Sequence, residues 1–319
     1  MRIDQIGESK LIKFIQNTVK TRNQVKVGIG DDACVLKDGK TVLTTDTYAA
    51  GVHFDLSYMS YYDVGCRCTC ACLSDVVAMA AEPQILLVAL GVPRKTEVRD
   101  VLRLYKGIDF ICKKLGCEVA GGDIVALDRL IITLTALGKT VSPKLRSHAQ
   151  PGEFVCLTGF AGLAETGRLI LKNRPSSLFP LRSSKIAVMR HICPLPRVEV
   201  MRKLRNKFGA LIDTSDGLAT DTRHIAESSN VRVVLYPNLL PIHPTTKGLC
   251  QRLKTDLIEF CLKGGEDYEL LFTSSELPPP EICNTPITVI GKIEKGSGVF
   301  IEKQGKLTPL KIKGYDHLS

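Results

Sequence analysis

Six short acidic groups in the 319-residue sequence each stand beside glycine or a hydroxyl residue. They are G-I-G-D-D (Gly28 to Asp32), T-T-D-T (Thr44 to Thr47), L-S-D (Leu73 to Asp75), G-G-D (Gly121 to Asp123), D-T-S-D-G (Asp213 to Gly217) and G-G-E-D-Y-E-L (Gly264 to Leu270). Carboxylates and hydroxyls offer only oxygen, the donor set of hard cations such as Mg2+, which keeps part of its water shell. A lone Asp-Gly is an ordinary turn or helix cap. Six such groups, most of them after apolar strand-like runs, read instead as parts of one site. A carboxylate cluster without counterions repels itself, so cations must be supplied, and magnesium commonly arrives with the phosphates of a nucleotide. The nucleotide site is not a P-loop: Leu137 to Thr140 reads L-G-K-T, but the position that must be glycine is Thr133.

The elements that position these groups follow from periodicity and turn chemistry. Apolar runs on both sides of K-D-G-K (Lys37 to Lys40) predict a hairpin, with Thr44 to Asp46 at the outgoing end of its second strand. Asp63 to Ala81 reads as a helix rich in small residues, closed by Glu82-Pro83, and Ile85 to Val92 as a buried strand. Thr96-Glu97 opens an amphipathic helix with Val98, Val101, Leu102, Tyr105, Ile108 and Ile111 on one side, stopped near Gly116. Strands are expected at Cys117 to Ala120 and Leu130 to Leu137, with G-G-D between them, so the first half is α+β.

The pattern breaks at H-A-Q-P-G (His148 to Gly152), which places a domain boundary at 148/149. Beyond it the sequence predicts a strand from Phe154, helices near Ala161 to Lys172 and Val198 to Lys207, and a strand into D-T-S-D-G. A helix from Leu218 to Glu227 and several strands follow. Asn173 to Pro180 reads as a loop.

Composition limits the rest. Two domains of this length bury ample core, and the chain needs no disulfide to fold; its twelve cysteines are expected to be reduced thiols in the cytoplasm. Four of them alternate in C-R-C-T-C-A-C (Cys66 to Cys72), but positions two apart on a helix turn about 200° from each other, so they cannot converge on one tetrahedral ion. Asp75, at the end of the same run, is its reactive residue. Charges occupy the N-terminus where a signal peptide is apolar, and the longest apolar run is too short to cross a bilayer. The net charge of +10 belongs to one region, Lys139 to Lys207, with 14 Lys/Arg against three Glu. Such a region attracts anions, yet no aromatic residues interleave with it as in a nucleic-acid surface, which disfavours that partner.

In order along the chain, G-I-G-D-D-A-C-V-L, T-T-D-T-Y-A-A-G-V-H-F, L-S-D-V-V-A-M-A-A-E-P, G-G-D, I-D-T-S-D-G-L-A-T-D, G-G-E-D-Y-E-L-L-F-T and the terminal G-Y-D-H-L resemble the thiamine-monophosphate kinase family, with motifs from Gly28 to Leu318. That family is PurM-like, the superfamily of aminoimidazole ribonucleotide synthetase. The resemblance implies an α+β ATP-binding domain (1–148), a PurM-like C-terminal α/β domain (149–319), and homodimers paired through the N-terminal sheets. It implies ATP and thiamine monophosphate as substrates, thiamine diphosphate as product, and several Mg2+ ions. Asp31, Thr44, Thr45, Asp46, Asp75, Asp123, Asp213 and Asp216 would bind the metal. Tyr105, Gly122, Asp123, Arg146 and Ser215 would contact ATP, while His53, Glu266 and Tyr315 would contact thiamine monophosphate. No residue is expected to act as a general base, because the acceptor is already a phosphate anion; what it needs is relief of repulsion between two anions.

Two stretches depart from the family pattern. Ile124, Val125 and Ala126 follow G-G-D where hydroxyl residues are usual, and A-G-L-A-E-T-G (Ala161 to Gly167) has no aspartate. A selenophosphate synthetase would carry a reactive Cys near a Lys in a glycine-rich N-terminal segment, and a hydrogenase-maturation carbamoyl dehydratase would end in a cysteine tail. Aminoimidazole ribonucleotide synthetase is the enzymatic alternative, and a non-catalytic nucleotide- or nucleic-acid-binding module the other.

Overall fold

A computed structural model describes residues 7–19, 21–173, 181–312 and 314–315. Its N-terminal part runs α1 (Glu8–Thr18), β1 (Val25–Val27), β2 (Cys34–Leu36), β3 (Thr41–Ala49), α2 (Tyr61–Ala78), β4 (Glu82–Val92), α3 (Val98–Leu115), β5 (Glu118–Ala126) and β6 (Ile131–Lys139). The six strands form one sheet in the order β1-β2-β3-β6-β4-β5, antiparallel except for the β4–β5 pair.

Local chemistry explains the outline. The Asp38 carboxylate accepts from the backbone N–H groups of Lys40 and Thr41, Gly39 takes a φ of +68°, and the hairpin closes with Val35 opposite Val42. Ser60 and Asp63 cap α2 reciprocally, side chain to backbone in both directions. Gly116, at φ +73°, ends α3 in the left-handed conformation. α2 and α3 cross at their glycines: a Cβ on Gly65 would stand 2.2 Å from the Leu104 carbonyl oxygen, and one on Gly107 2.1 Å from that of Tyr62.

Several expectations are corrected. Thr44 to Asp46 lies in the middle of β3, not at its end, because the strand continues to Ala49 in unbroken pairing with β6. G-G-D lies inside β5, paired with β4, not between strands. The face of α3 that packs inward is Leu104, Ile108, Ile111, Cys112 and Leu115, whereas Val98 and Leu102 are 74% and 57% exposed.

The C-terminal part runs β7 (Phe154–Thr158), α4 (Leu163–Lys172), α5 (Leu181–Ile192), α6 (Val198–Leu204), β8 (Leu211–Asp213), α7 (Leu218–Ser229), β9 (Arg232–Leu235), α8 (Pro244–Leu253), α9 (Leu257–Lys263), β10 (Leu270–Ser274), β11 (Glu281–Ile282), β12 (Thr285–Glu294), β13 (Gly298–Lys303) and β14 (Lys306–Pro309). Its sheet has the order β14-β13-β9-β12-β7-β10-β8, with β11 paired to β12. Of the expected loop Asn173 to Pro180, all beyond Asn173 lies outside the described residues, as does G-Y-D-H-L beyond Tyr315.

One apolar cluster joins the sheets. It includes Leu73 and Val76 of α2, Leu86 and Leu134 of the first sheet and Leu211, Leu270 and Phe272 of the second, and the Phe208 and Phe272 rings meet edge to face at 4.9 Å. Each such side chain contributes roughly 1.5–3 kcal/mol on burial, so the two sheets are held in fixed register by hydrophobic contact. The four alternating cysteines are buried within this cluster and diverge: Cys66 faces the Gly107 carbonyl, Cys72 the Leu134 carbonyl, and Cys70 the thiol of Cys193. Among the described residues, no helix is long and apolar enough to cross a membrane.

Candidate active site

Three carboxylates converge where the sheets meet. Asp32 comes from the loop between β1 and β2, Asp75 from the C-terminal half of α2, and Asp213 from the end of β8; one oxygen of each lies within 4.8 Å of the others. Hydroxyls fix their rotamers. Thr44 Oγ1 donates to Asp75 Oδ2 at 2.8 Å and lies 3.2 Å from the Asp32 carbonyl oxygen, and the Ser74 hydroxyl donates to Asp213 Oδ2. On β3, two residues past Thr44, Asp46 accepts from the Tyr48 hydroxyl at 2.9 Å.

Among the described residues, one cation pairs with this group. Arg146, in a single 3-10 turn (Arg146–His148), binds the Asp32 carboxylate through Nη2, and its backbone N–H donates to Asp31 Oδ2 at 3.2 Å. Ser229 of α7 holds that turn by donating to the Arg146 carbonyl at 2.8 Å. One guanidinium cannot neutralise four or five carboxylates. Burial raises all four, and repulsion from neighbouring carboxylates adds to it for Asp31, Asp75 and Asp213: Asp31 to about 7, Asp213 to about 8, and Asp32 and Asp75 above the ordinary carboxylate range.

The oxygens suit a hard cation. Asp32 Oδ2 is buried without a hydrogen-bond partner, and so is Oδ2 of Asp221, on α7, whose other oxygen faces the Asp216 N–H at 3.4 Å. All the donors are oxygen, several share one space, and two buried lone-pair sites have no proton donor: these residues fit a divalent ion such as Mg2+, and they do not fit a thiophilic metal.

A second constellation lies toward the N-terminal half of α2. Arg67, 3% exposed, donates from Nε to the His53 carbonyl at 3.0 Å, binds the His191 carbonyl through Nη1, and pairs with Glu266 through Nη2. His53 Nδ1 accepts from the Ala49 N–H at 3.1 Å, which puts its ring proton on Nε2. Glu266 sits at φ +63°, and its N–H donates to the Ser215 carbonyl at 2.8 Å, so Ser215 serves this turn through its backbone. Gly265 must be glycine, since a Cβ would stand 2.5 Å from that carbonyl. The tail docks on the same turn: Tyr315 N–H donates to the Asp216 carbonyl at 2.9 Å, and its side chain is 55% exposed.

The fold thus brings together Asp31, Thr44, Asp46, Asp75, Arg146 and Asp213, with Ser215 and Asp216 on the adjoining turn, and sets His53 and Glu266 around Arg67. It does not bring four others to the carboxylates. Thr45 points to the opposite face of β3 and meets the Thr135 hydroxyl at 3.1 Å. Asp123 is on β5, separated from β3 by β4 and β6, roughly 14 Å away at the usual strand spacing. Beside it, Gly122 presses on the Val88 carbonyl, which a Cβ would meet at 1.8 Å. Tyr105 is half-buried against the core from α3. Sequence reasoning did not single out Asp32, Arg67 or Asp221. For Arg67 a signal was present, an arginine among cysteines and alanines on a helix with no polar face.

The basic region resolves into internal pairs. Arg190 and Arg197 share Glu269, Arg202 and Arg205 share Glu82, Arg168 pairs with Glu165, and Lys207 with Glu276.

Known proteins match this arrangement. A family model described as "AIR synthase related protein, N-terminal domain" matches residues 30–140. The thiamine-monophosphate kinase of Aquifex aeolicus (strain VF5) is 33% identical over 99% of this chain and 100% of its own length. That of Bacillus subtilis (strain 168) is 34% identical over 98% and 99%. A solved structure, "AaThiL complexed with AMPPCP and TMP", is 32% identical with a TM-score of 0.88, covering 99% of each chain. With relatives above 30% identity along its whole length and the carboxylate cluster in place, the chain belongs to the thiamine-monophosphate kinase family.

Proposed function

We propose that the chain transfers the γ-phosphoryl group of ATP to the phosphate of thiamine monophosphate, giving thiamine diphosphate and ADP, in the cytoplasm. A phosphate oxygen of the acceptor forms the new bond to the γ-phosphorus as the bond to the β-bridging oxygen breaks, and ADP leaves. The observation that carries this reading is the under-neutralised cluster of Asp32, Asp75 and Asp213, built from both sheets. Mg2+ ions held there by Asp31, Asp32, Asp75, Asp213 and, at the edges, Asp46 and Asp216 would offset the negative charge of both phosphate groups. Thr44 and Ser74 keep the carboxylates in one orientation, and Arg146 ties down the Asp31-Asp32 loop from a turn that Ser229 of α7 holds. Glu266 and His53, around Arg67, lie on the acceptor side, about 12 Å along α2 from Asp75, and Tyr315 adjoins them beside Asp216.

The two-domain division, 1–148 for ATP and metal and 149–319 for the remainder, belongs to the same reading, as does a homodimer formed through the N-terminal sheets. The sheet face away from α2 supports that pairing, because it exposes Ile85 and Leu87 beside Thr45, Thr47, Thr133 and Thr135. Thr45 and Asp123 stand on that face, so any contact they make to metal or ATP depends on the second copy.

A product assay with ATP, Mg2+ and thiamine monophosphate tests the reaction. Wild-type protein should form thiamine diphosphate, and Asp46→Asn should abolish it while leaving the far-UV spectrum unchanged; full activity in the variant would remove Asp46 from the site.

A further inference from the structure

We infer that Arg67 is a positioning residue for the phosphate acceptor: its guanidinium holds Glu266 and the His53 segment in place, and through them sets the pocket for thiamine monophosphate. The role rests on the proposed function, and the contacts of Arg67 carry it. Arg67 is buried on α2, yet it reaches three separate chain segments: the loop after β3 through the His53 carbonyl, the end of α5 through the His191 carbonyl, and the G-G-E-D-Y turn through the Glu266 carboxylate. Nε and Nη1 donate to carbonyls while Nη2 stands in an ion pair with Glu266, so the buried charge is compensated, and no lysine could reach three directions with a planar fork.

The turn it grips needs holding. Glu266 and Tyr268 are both non-glycine residues in the left-handed region, at φ +63° and +47°. Such conformations cost on the order of 1 kcal/mol or more each and persist only where the surroundings over-determine them. The side chain of Glu266 is about one-third exposed, so one edge of its carboxylate meets Arg67 while the rest remains open to a ligand. Tyr58 and Arg168 lie close by: the Tyr58 hydroxyl is 3.4 Å from His191 Nε2, and Arg168 is held by Glu165 through two bonds of 2.6 and 2.7 Å. The carboxylate cluster is a distinct place. Asp75 is eight residues further along α2, about 12 Å at helical rise. A change at Arg67 should therefore be felt by the acceptor and not by the nucleotide.

The test is steady-state kinetics of Arg67→Met, Arg67→Lys and Glu266→Gln, with each substrate varied in turn at saturating Mg2+. Arg67→Met should raise the KM for thiamine monophosphate about tenfold or more, with the KM for ATP changed less than about twofold. Arg67→Lys should recover part of the loss, because it restores the charge and not the fork. In a double-mutant cycle, Arg67→Lys and Glu266→Gln should be non-additive, since both act on one contact. If Arg67→Met fails to fold, the lysine variant and the cycle decide. An unchanged KM for the acceptor, equal rises in both KM values, or strict additivity would each overturn the role. Wild-type protein that forms no thiamine diphosphate would overturn the proposed function itself, an outcome distinct from all of these.

Discussion

Two buried acidic centres in this molecule are built on opposite principles. Around Glu269, at the foot of β10, Arg190 and Arg197 both pair with one carboxylate and Thr158 donates to it, so the acid is held below its usual range despite complete burial. Around Asp75, of three converging carboxylates only Asp32 is paired with an arginine, and burial first, then repulsion from neighbouring carboxylates, pushes Asp75 upward. Both centres are costly to bury. The first is compensated by the chain's own cations and joins β7, β10 and the segment before α6; the second is left short of positive charge, which is useful only if the missing charge arrives with the ligands.

Breaking the first centre should have the largest effect. Glu269→Gln leaves two buried guanidinium groups without their anion and should lower unfolding free energy by about 3–5 kcal/mol, measured by urea denaturation. A loss under 1 kcal/mol would show that water compensates them. The second centre should behave in the opposite way. Asp213→Asn, which removes one of the repelling charges, should leave the metal-free protein as stable as wild type or more so while abolishing activity. Wild-type protein should gain about 2.7 kcal/mol at Mg2+ a hundredfold above its Kd, and the variant should gain much less. Thermal melts with and without Mg2+ separate the two.

The smallest effect sharpens the contrast from the cationic side. His191 is buried beside Arg67 and Arg168, and burial first, then the two guanidinium groups, lowers it to about 2. The unfolded chain takes up this proton below about 6.5 whereas the folded chain does not until about 2. Stability should therefore be full above pH 6.5 and fall as the pH drops through that window, by up to about 1.4 kcal/mol per pH unit. His191→Asn should flatten the slope of unfolding free energy between pH 7 and 5; an unchanged slope would assign acid sensitivity to other groups.

These contrasts also show where sequence reading succeeds. The Asp38-Gly39 hairpin, the presence of a helix at α2, the end of α3 at Gly116 and the strand into Asp213 all follow from signals within a few residues, and they were legible; the Ser60 cap of α2 was not read. Asp75 and Asp213 were legible as candidate site residues because the first closes L-S-D and the second opens D-T-S-D-G. Asp32 was not separated from Asp31, since which of two adjacent side chains turns inward depends on the loop that Arg146 ties down from more than 100 residues away. Thr45 could have been set apart from Thr44 by strand alternation alone. Helices α5, α8 and α9 were missed because their apolar faces are short and their burial is decided by other helices distant in sequence, α5 packing on α4 and α2, α8 on α4 and α5, and α9 on α7.

The crossing of α2 and α3 has a consequence for how this enzyme can vary. Gly65 and Gly107 each meet the other helix's backbone, not a side chain, so a bulkier residue at either position has no partner substitution that could make room for it. Arg67 and Asp75 ride on the same rod two and ten residues past Gly65. The spacing between acceptor pocket and carboxylates is thus gauged by a contact that touches neither, and drift in the catalytic centre's dimensions is blocked by two absent methyl groups.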